Sequence, residues 1–310
     1  MKLIQLSPAN LRQQLSDSGV WLRTGPFSVR IHSRIPSVAE GLTDLYGQFE
    51  LRNPREAFAD FHVSVNAPSP LRRWFRPQVD FSFDGQLPFK PLPYDQAYPM
   101  LEWGLNWCVS MHAHQFLIIH AAVVEKNGGA AILPAPPGSG KSTLTAGLVL
   151  SGWRLLSDEL TLIDRKTGLI HPLPRPVSLK NESIDVVQAF SAEAFINRPS
   201  HDTAKGTVAH MRPPKESVRR QHEAAQPAWV VFPKWAAGAS TRLTQRSAAQ
   251  TFMFLAQNAF NYSHLGADGF HVGTRLADQV ACYDFSYSRL DEAVRTFDRL
   301  ADTLPQQRAP

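Results

Sequence analysis

The stretch that decides the fold is "AAILPAPPGSGKSTLTAGLVLSG", residues 130–152. Its apolar first part, residues 130–134, is typical of a buried strand, and the run that begins at Lys141 is typical of a helix. Between them, residues 135–142 fit the pattern [AG]-x-x-x-x-G-K-[ST], with alanine in place of the usual first glycine. Strand, glycine loop and helix in this order predict a phosphate-binding loop rather than a chance glycine turn.

Each residue type in this loop has a task in binding phosphate. Gly138 and Gly140 can adopt positive φ, which turns successive N–H groups inward, and the start of the helix adds its positive dipole end. We expect Lys141 to meet the β and γ phosphates and the Ser142 hydroxyl to bind Mg²⁺. The predicted cofactors are therefore ATP and Mg²⁺. The predicted cofactor-binding residues are Pro137, Gly138, Ser139, Gly140, Lys141, Ser142 and Thr143.

Two acids and a histidine are the candidate catalytic residues beyond the loop. Asp158 and Glu159 end a short apolar run after the predicted helix. Two acids at a strand end beside such a loop can hold Mg²⁺ and take a proton from an attacking hydroxyl, although a solvated turn is the alternative. His120 lies in the apolar run "LIIHAAVV", residues 117–124, and we expect this strand to neighbour the loop strand. A lone histidine there is more often a hydrogen-bonded core residue than a catalytic one.

The composition narrows the class of protein. The 310 residues carry a net charge of +5 from 32 basic and 27 acidic side chains, and the basic residues form no long block. This mild charge does not indicate nucleic-acid binding. No apolar run is long enough to span a membrane, and the first residues lack a secretory signal, so we predict a cytoplasmic protein without a membrane partner. Cys108 and Cys282 lie far apart beside aromatic residues, which favours buried thiols over a disulfide or metal site.

The chain is predicted to have two parts. Residues 1–95 are expected to form a small α/β module, with strands at 27–33 and 61–67 and a helix at 37–49. The proline-rich stretch 89–99 separates this module from a catalytic domain at 96–310, because closely spaced prolines do not fit a helix or a central strand.

Four further elements are predicted in the second part. An aromatic-rich helix is expected at 100–114, a hairpin turn at the Asn-Gly of residues 126–129, and a helix packed on the core at 287–304. The basic stretch 197–220 is expected to form a long loop that closes over phosphates or binds an acidic peptide, with a disordered linker as the alternative. Lys205 is the preferred substrate-binding residue within it.

Three segments together resemble a known family. "IHAAVV" at 119–124, "PPGSGKST" at 136–143 and "GWRLLSDE" at 152–159 are similar to the core of the bacterial HPr serine kinase/phosphorylase family. "LPRPVSLKNESIDVV" at 173–187 and "KGTVAHMRPP" at 205–214 resemble its HPr-related kinase A subgroup. The resemblance implies a P-loop α/β core related to phosphoenolpyruvate carboxykinase, and phosphoryl transfer to a serine of a protein.

The resemblance also implies roles for individual residues. His120 matches the active-site histidine of the family, and Asp158 and Glu159 match its pair of aspartates. Asp158 is favoured as the base that deprotonates the acceptor, and both acids are candidate metal ligands together with Ser142. Lys141 matches the phosphate lysine.

One departure from the family concerns a glutamate that helps to bind metal. Val177 falls nearest to its place, between Arg175 and Lys180, which puts phosphorolysis of the phosphoserine in doubt. Arg175 and Lys180 are expected either to hold phosphate or the acceptor, or to be ordinary surface charges.

The resulting hypothesis is a Mg²⁺-dependent kinase that transfers the γ phosphate of ATP to a serine of a protein or peptide. A P-loop kinase of a small metabolite is an alternative, because fold alone does not name an acceptor. A nucleotide-gated protein that binds a peptide without transfer is another. The expected partner is the protein or peptide that carries the acceptor serine, and a homo-oligomer is left open.

Overall fold

The computed structural model describes residues 1–53, 58–68 and 77–304. It is a mixed α/β structure, as predicted, with several sheets that combine parallel and antiparallel strands or are fully antiparallel. The last residues of the predicted catalytic domain, 305–310, lie outside the described residues.

The described elements alternate along the chain. The helices are α1 (Pro8–Ser16), α2 (Pro36–Tyr46), α3 (Ala97–His112), α4 (Lys141–Leu150), α5 (Glu182–Phe190), α6 (Lys215–Arg219), α7 (Ala248–Gln257), α8 (Tyr262–Leu265), α9 (Ala267–Gln279) and α10 (Leu290–Asp302). The strands are β1 (Val20–Thr24), β2 (Phe27–Ser33), β3 (Phe61–Asn66), β4 (Gln78–Phe83), β5 (Leu92–Pro93), β6 (Phe116–Lys126), β7 (Gly129–Pro134), β8 (Arg154–Ser157), β9 (Leu160–Asp164), β10 (Ile170–His171), β11 (Val177–Lys180), β12 (Ser200–Thr203), β13 (Gly206–Met211), β14 (Gln226–Trp235), β15 (Arg242–Gln245) and β16 (Ala281–Tyr287).

The N-terminal sheet has the strand order β1-β2-β3-β4-β5. Both predicted strands and the predicted helix of this part are confirmed as β2, β3 and α2. Alternate side chains of β2 are buried, as expected of a strand with one face on the core. The apolar side chains of α3 join the same hydrophobic cluster as α2 and this sheet. The helix that follows the predicted boundary at residue 95 therefore packs with the N-terminal module, and the boundary itself stays a prediction.

The central sheet has the order β10-β9-β6-β7-β14-β16-β15, and β8 also pairs with β6. β14 is parallel to β7 and β16, whereas β8 and β9 are antiparallel to β6, which is itself antiparallel to β7. The strands β7, β8, β14 and β16 therefore run in one direction, and their carboxyl ends meet at one edge. In open α/β sheets this edge is where ligands bind.

Both faces of the central sheet are covered by helices. Val124 and Leu133 lie in a cluster with side chains of α4 and α10. Val123 and Ile132 lie in a second cluster with side chains of α7 and α9. Neighbouring residues of one strand point to opposite faces, so strands buried on both sides read as continuous apolar runs.

Several local predictions for this second part are confirmed. The hairpin between β6 and β7 turns at Asn127 and Gly128, whose φ angles are +56° and +85°. Positive φ at both positions is what the favoured two-residue hairpin turn requires, and the Asn-Gly sequence supplies it. The helices α3 and α10 lie where they were predicted, and both cysteines are free and buried.

The prediction of a long loop at 197–220 is wrong. This stretch contains β12, β13 and the short helix α6, and β13 pairs with both β12 and β11 in a separate antiparallel sheet. Gly206 begins β13 with a φ of +81°, and the Thr203 hydroxyl donates to its carbonyl at 2.6 Å, which closes the hairpin. Pairing with β11, which is distant in sequence, provides the partner that the local pattern did not reveal.

A buried ion pair joins this second part to the N-terminal module. The Arg175 guanidinium lies 2.5 Å from the Glu102 carboxylate, and both side chains are almost fully buried. Arg175 also donates to the Asn106 side chain at 2.9 Å and to the Tyr46 hydroxyl at 3.2 Å. The hydroxyls of Tyr46 and Tyr98 donate to Glu102, each at 2.8 Å. Each charge in the pair is thus surrounded by hydrogen-bond partners.

None of the helices in the described ranges combines the length and apolarity needed to cross a bilayer.

We predict that Arg175→Met lowers the free energy of unfolding by about 3–5 kcal/mol, because it leaves the Glu102 carboxylate buried without its counter-charge. The measurement is urea denaturation followed by circular dichroism. The control is Arg12→Met, which removes an exposed pair with Glu40 and should cost less than about 1 kcal/mol. Equal losses in the two variants would contradict a structural role for the buried pair.

Candidate functional site

Two acids are held out of the pairing of the central sheet. β8 and β9 both pair antiparallel with β6, the β8 pairing with a register shift at Val123–Val124, and Asp158 and Glu159 occupy the bend between them. The Ser157 hydroxyl accepts the N–H of Leu160 at 3.0 Å, a side-chain turn that stabilises this bend. The bend lies at the same edge of the sheet as the glycine loop, because β8 runs in the same direction as β7.

The glycine loop leads from β7 into α4, as the sequence predicted. Gly138 and Gly140 have φ angles of +82° and +85°, the region that favours glycine. The helix α4 has no side-chain N-cap, so the N–H groups of its first turn, at Lys141, Ser142 and Thr143, need partners from elsewhere. Such a turn is a ready site for an anion.

Two strand ends hold the loop in place. The Tyr287 hydroxyl, at the end of β16, donates to the Gly140 carbonyl at 3.0 Å. The backbone N–H of Trp235, at the end of β14, donates to the Ser139 carbonyl at 2.9 Å. Ser139 is buried, whereas Pro137 is exposed in the loop. The loop is thus fixed on the side that faces away from β6 and the two acids.

The loop and the acids are in direct contact. Lys141 Nζ donates to the Asp158 carbonyl at 2.6 Å, and Ser142 Oγ donates to Asp158 Oδ2 at 3.2 Å. The same Oδ2 accepts the backbone N–H of Ser178, from β11, at 3.0 Å. Burial raises the pKa of Asp158; the charge of Lys141 opposes this, and the neighbouring Glu159 adds to it. Asp158 is therefore a better proton acceptor than an exposed aspartate.

Glu159 lies among four basic side chains. His120 Nε2 is 3.7 Å from its carboxylate. Burial alone would raise the pKa of Glu159, but the interaction with His120 and the charges of Lys141, Lys180 and Lys205 outweigh it and hold this pKa well below its ordinary value. Glu159 is therefore a fixed negative charge, suited to a cation rather than to a proton.

Lys205 reaches this cluster from the turn between β12 and β13. Its ammonium lies 4.9 Å from the ring centroid of Trp103, on α3, in a cation–π contact. Burial lowers the pKa of Lys205; the charge of Glu159 opposes this, and Lys180 and Lys141 add to it. A cation held in this way can contribute to binding negative charge beside the loop.

Most of the residues predicted for the site lie together. The contacts and charge interactions above join His120, Lys141, Ser142, Asp158, Glu159, Lys180 and Lys205. Arg175 was expected to hold phosphate or the acceptor, or to be a surface charge. The surface interpretation is wrong, because Arg175 is buried; its guanidinium is engaged with Glu102, Asn106 and Tyr46 and supports the fold.

The acids and the hydroxyl fit Mg²⁺, which prefers oxygen ligands. In the described ranges, no group of three or more His, Cys, Asp or Glu side chains is placed to hold a metal. Mg²⁺ commonly binds through one or two carboxylates with phosphate oxygens and waters, so the donor set of Ser142, Asp158 and Glu159 suits a metal that arrives with a nucleotide. Val177 is fully buried and supplies no ligand, and Glu182 is exposed at the start of α5.

Three residues at the site escaped the sequence-based predictions. Tyr287 and Trp235 hold the loop, and Trp103 supports Lys205. Trp235 ends β14, which lies beside β7, and Tyr287 ends β16, the next strand; neither position was known before the sheet order. The aromatic-rich pattern around Trp103 indicated a core helix, and nothing in it distinguished the ring that contacts a lysine.

Comparisons with known proteins do not assign the chain to a family. No protein-family model matches the chain, and no curated protein matches it significantly.

We predict that Gly140→Ala destabilises the protein more than Gly138→Ala. Both place an L residue at positive φ, which costs about 1–2 kcal/mol. A Cβ on Gly140 would also lie 2.5 Å from the Tyr287 hydroxyl and 2.8 Å from Trp235 Cβ, whereas none of the described atoms lies within 4 Å of a Cβ on Gly138. Overpacking of this kind adds roughly 1–3 kcal/mol. Urea denaturation measures the difference, and equal losses would show that the strand ends do not confine the loop.

Proposed function

We propose that this chain is an ATP- and Mg²⁺-dependent kinase that transfers the γ phosphate to a serine hydroxyl of a protein or peptide. The observation that carries the proposal is the convergence of a glycine loop and two acids. Lys141 and Ser142, at the start of α4, both donate hydrogen bonds to Asp158. Phosphoryl transfer requires this arrangement: a lysine of the loop for the phosphates, and a hydroxyl of the loop beside an acid for the metal.

The charge and hydrogen-bonding capacity of each residue would determine whether it binds phosphate, takes the proton or holds the metal. The first-turn amides of α4 and Lys141 would bind the phosphate oxygens, and Lys180 and Lys205 would add positive charge beside Glu159. Asp158, whose pKa is raised by burial, would take the proton of the acceptor hydroxyl. His120, beside Glu159, would hold that carboxylate in place. Ser142, Asp158 and Glu159 would hold Mg²⁺, which supplies neutralisation of the phosphate charge when bound.

The choice of acceptor rests on the resemblance to HPr serine kinases rather than on the geometry. The same loop and acids would also serve a kinase of a small metabolite, or a protein that binds nucleotide without transferring it. The test is incubation with γ-labelled ATP, Mg²⁺ and the proteins encoded by neighbouring genes, followed by mapping of the label. Label on a serine supports the proposal, label on a metabolite favours the first alternative, and bound nucleotide without transfer favours the second.

Lys141→Ala should abolish transfer and weaken ATP binding at least about tenfold, because the lysine meets the phosphates with a full charge. The matched control is Lys166→Ala, which removes the same charge from an exposed turn and should leave both properties unchanged. Titration calorimetry measures binding, and release of labelled product measures transfer. Unchanged turnover in Lys141→Ala would remove the loop from the mechanism.

Asp158→Asn should keep ATP binding within a few-fold and lose most of the transfer, because an amide accepts hydrogen bonds but cannot take a proton. Glu159→Gln is expected to raise the concentration of Mg²⁺ needed for half-maximal rate, because it removes a fixed negative charge. Steady-state kinetics at several Mg²⁺ concentrations separate the two effects. If the two variants show each other's behaviour, the roles of base and metal ligand must be exchanged.

We expect forward transfer without efficient phosphorolysis. Val177 is fully buried and supplies no carboxylate, and the neighbouring Lys180 is cationic. Forward and reverse reactions share a transition state, but a missing ligand misplaces the inorganic phosphate, and positioning supplies most of the catalysis. The assay gives phosphorylated acceptor, Mg²⁺ and phosphate to the enzyme and measures pyrophosphate. Release as fast as the forward reaction would indicate a substitute ligand such as Glu182, which Glu182→Gln would then test.

A further inference from the structure

A small cavity lies behind the two acids, where three parts of the fold meet. Its lining includes Trp103 of α3, Asp158 and Glu159 of the bend, Ser178 of β11 and His210 of β13. Ser178 and His210 are direct partners across the β11–β13 pairing. The cavity therefore touches α3, the candidate base and the sheet whose β12–β13 turn carries Lys205.

Four buried polar atoms from this lining have no hydrogen-bond partner within the protein. They are Trp103 Nε1, Asp158 Oδ1, Ser178 Oγ and His210 Nε2. Unpartnered buried atoms are few elsewhere in the described residues, and no other group of four of them shares one cavity lining. A buried polar group without a partner destabilises the folded state, because it has given up its hydrogen bonds to water. Four such groups around one space indicate that they share a ligand.

The hydrogen-bonding capacities of these atoms define the ligand. Trp103 Nε1 can only donate and the Asp158 carboxylate can only accept, so the ligand must both accept and donate. Burial lowers the pKa of His210 to about 4, so near neutral pH its ring is uncharged, with one donor and one acceptor nitrogen. Ser178 Oγ can take either role. A tetrahedral ligand with two donors and two acceptors satisfies all four.

Charge and size exclude the other common ligands. A cation would be repelled by the Trp103 N–H and the Arg175 guanidinium, which belong to the same lining. An anion would be repelled by the carboxylates of Asp158, Glu159 and Glu102. The space open to the centre of a water molecule measures about 20 Å³. One water needs roughly 10–15 Å³ by the same measure, so this space suits a single water.

We propose that this cavity binds one water molecule, which Trp103, Ser178 and His210 hold against Asp158 Oδ1. Asp158 Oδ2 already accepts from Ser142 and from the N–H of Ser178. The water thus supplies the partner of the second oxygen and fixes the orientation of the carboxylate. Trp103 becomes a positioning residue, contributed by a helix that packs with the N-terminal module, and acts on the candidate base through the water.

The direct test is a crystal structure of the full chain at a resolution that shows ordered solvent. It is expected to show one solvent peak within about 3.2 Å of Asp158 Oδ1 and of at least two of the other three atoms. The absence of such a peak, or side chains turned to bond one another, would overturn the proposal. The crystal structure requires no enzymatic activity, so it tests the bound water even if the proposed phosphoryl transfer is wrong.

Two substitutions at Ser178 make a matched pair, because neither removes the backbone N–H that bonds Asp158. Ser178→Val fills the space with methyl groups and should eliminate the solvent peak, whereas Ser178→Ala keeps the space and three of the four partners. If the proposed transfer is correct, the kcat of Ser178→Val should fall roughly ten- to a hundredfold at an unchanged KM for ATP, because small misplacements of a catalytic group have that effect. Ser178→Ala should stay within about threefold, since it removes only one of the four partners of the water. A kcat unchanged in Ser178→Val despite loss of the peak would refute the positioning role.

Trp103→Phe tests the positioning residue separately. The phenyl ring retains a face for Lys205 but lacks the N–H that would bind the water. The expected result is a weakened or lost solvent peak and a lower kcat, with the thermal unfolding midpoint and the KM for ATP close to wild type. A fall in the unfolding midpoint with the peak and kcat unchanged would reduce Trp103 to a structural role.

Discussion

Two adjacent carboxylates, the buried Asp158 and the partly buried Glu159, are held beside the loop, and this arrangement is the constraint on which the candidate site depends. Buried charge is tolerated only where opposite charge or hydrogen-bond donors compensate it. Here the compensation comes from four places in the chain: the lysine and serine that begin α4, the N–H of Ser178 on β11, His120 on β6 and two further lysines. The site therefore exists only when the central sheet and the β11–β13 sheet are assembled together.

The same constraint gives α3, which packs with the N-terminal module, a part in the site. The buried pair of Glu102 and Arg175 anchors the segment just before β11 to α3, and Trp103, the next residue on that helix, supports Lys205. Both contacts stabilise the small sheet that contributes Ser178, Lys180 and Lys205. The helix α3 is thus a support for the cationic side of the site, and changes in the module that it packs against should reach the acids through these contacts.

How much the sequence reveals depends on how local the determining interaction is. The glycine loop, the Asn-Gly hairpin and the helix α10 were predictable because turn chemistry and helical spacing are read within a few residues. The proximity of His120 to the loop followed from the hairpin that links their strands. The β12–β13 hairpin was missed because the prolines that flank it and its charges suggest a loop, and its stability comes from pairing with β11.

Arg175 shows the same limit for a single side chain. An arginine between two prolines in the sequence gives no sign that a glutamate some seventy residues earlier, Glu102, will meet it in the core. Likewise, Trp235 and Tyr287 contact the loop because β14 pairs with β7 and β16 pairs with β14, and both strands come from the last third of the chain. Long-range pairing of this kind has no local signature, so charge alone was a poor guide to which cations serve the site.

The central claim is that the glycine loop and the acid pair form one site for a magnesium–nucleotide complex. A crystal structure with Mg²⁺ and a non-hydrolysable ATP analogue tests it most directly. The account predicts phosphate oxygens on the first-turn amides of α4 and on Lys141, and a metal bound by the Ser142 hydroxyl and at least one of Asp158 and Glu159. A nucleotide bound elsewhere, or phosphates at the loop with a metal that contacts neither acid, would contradict it.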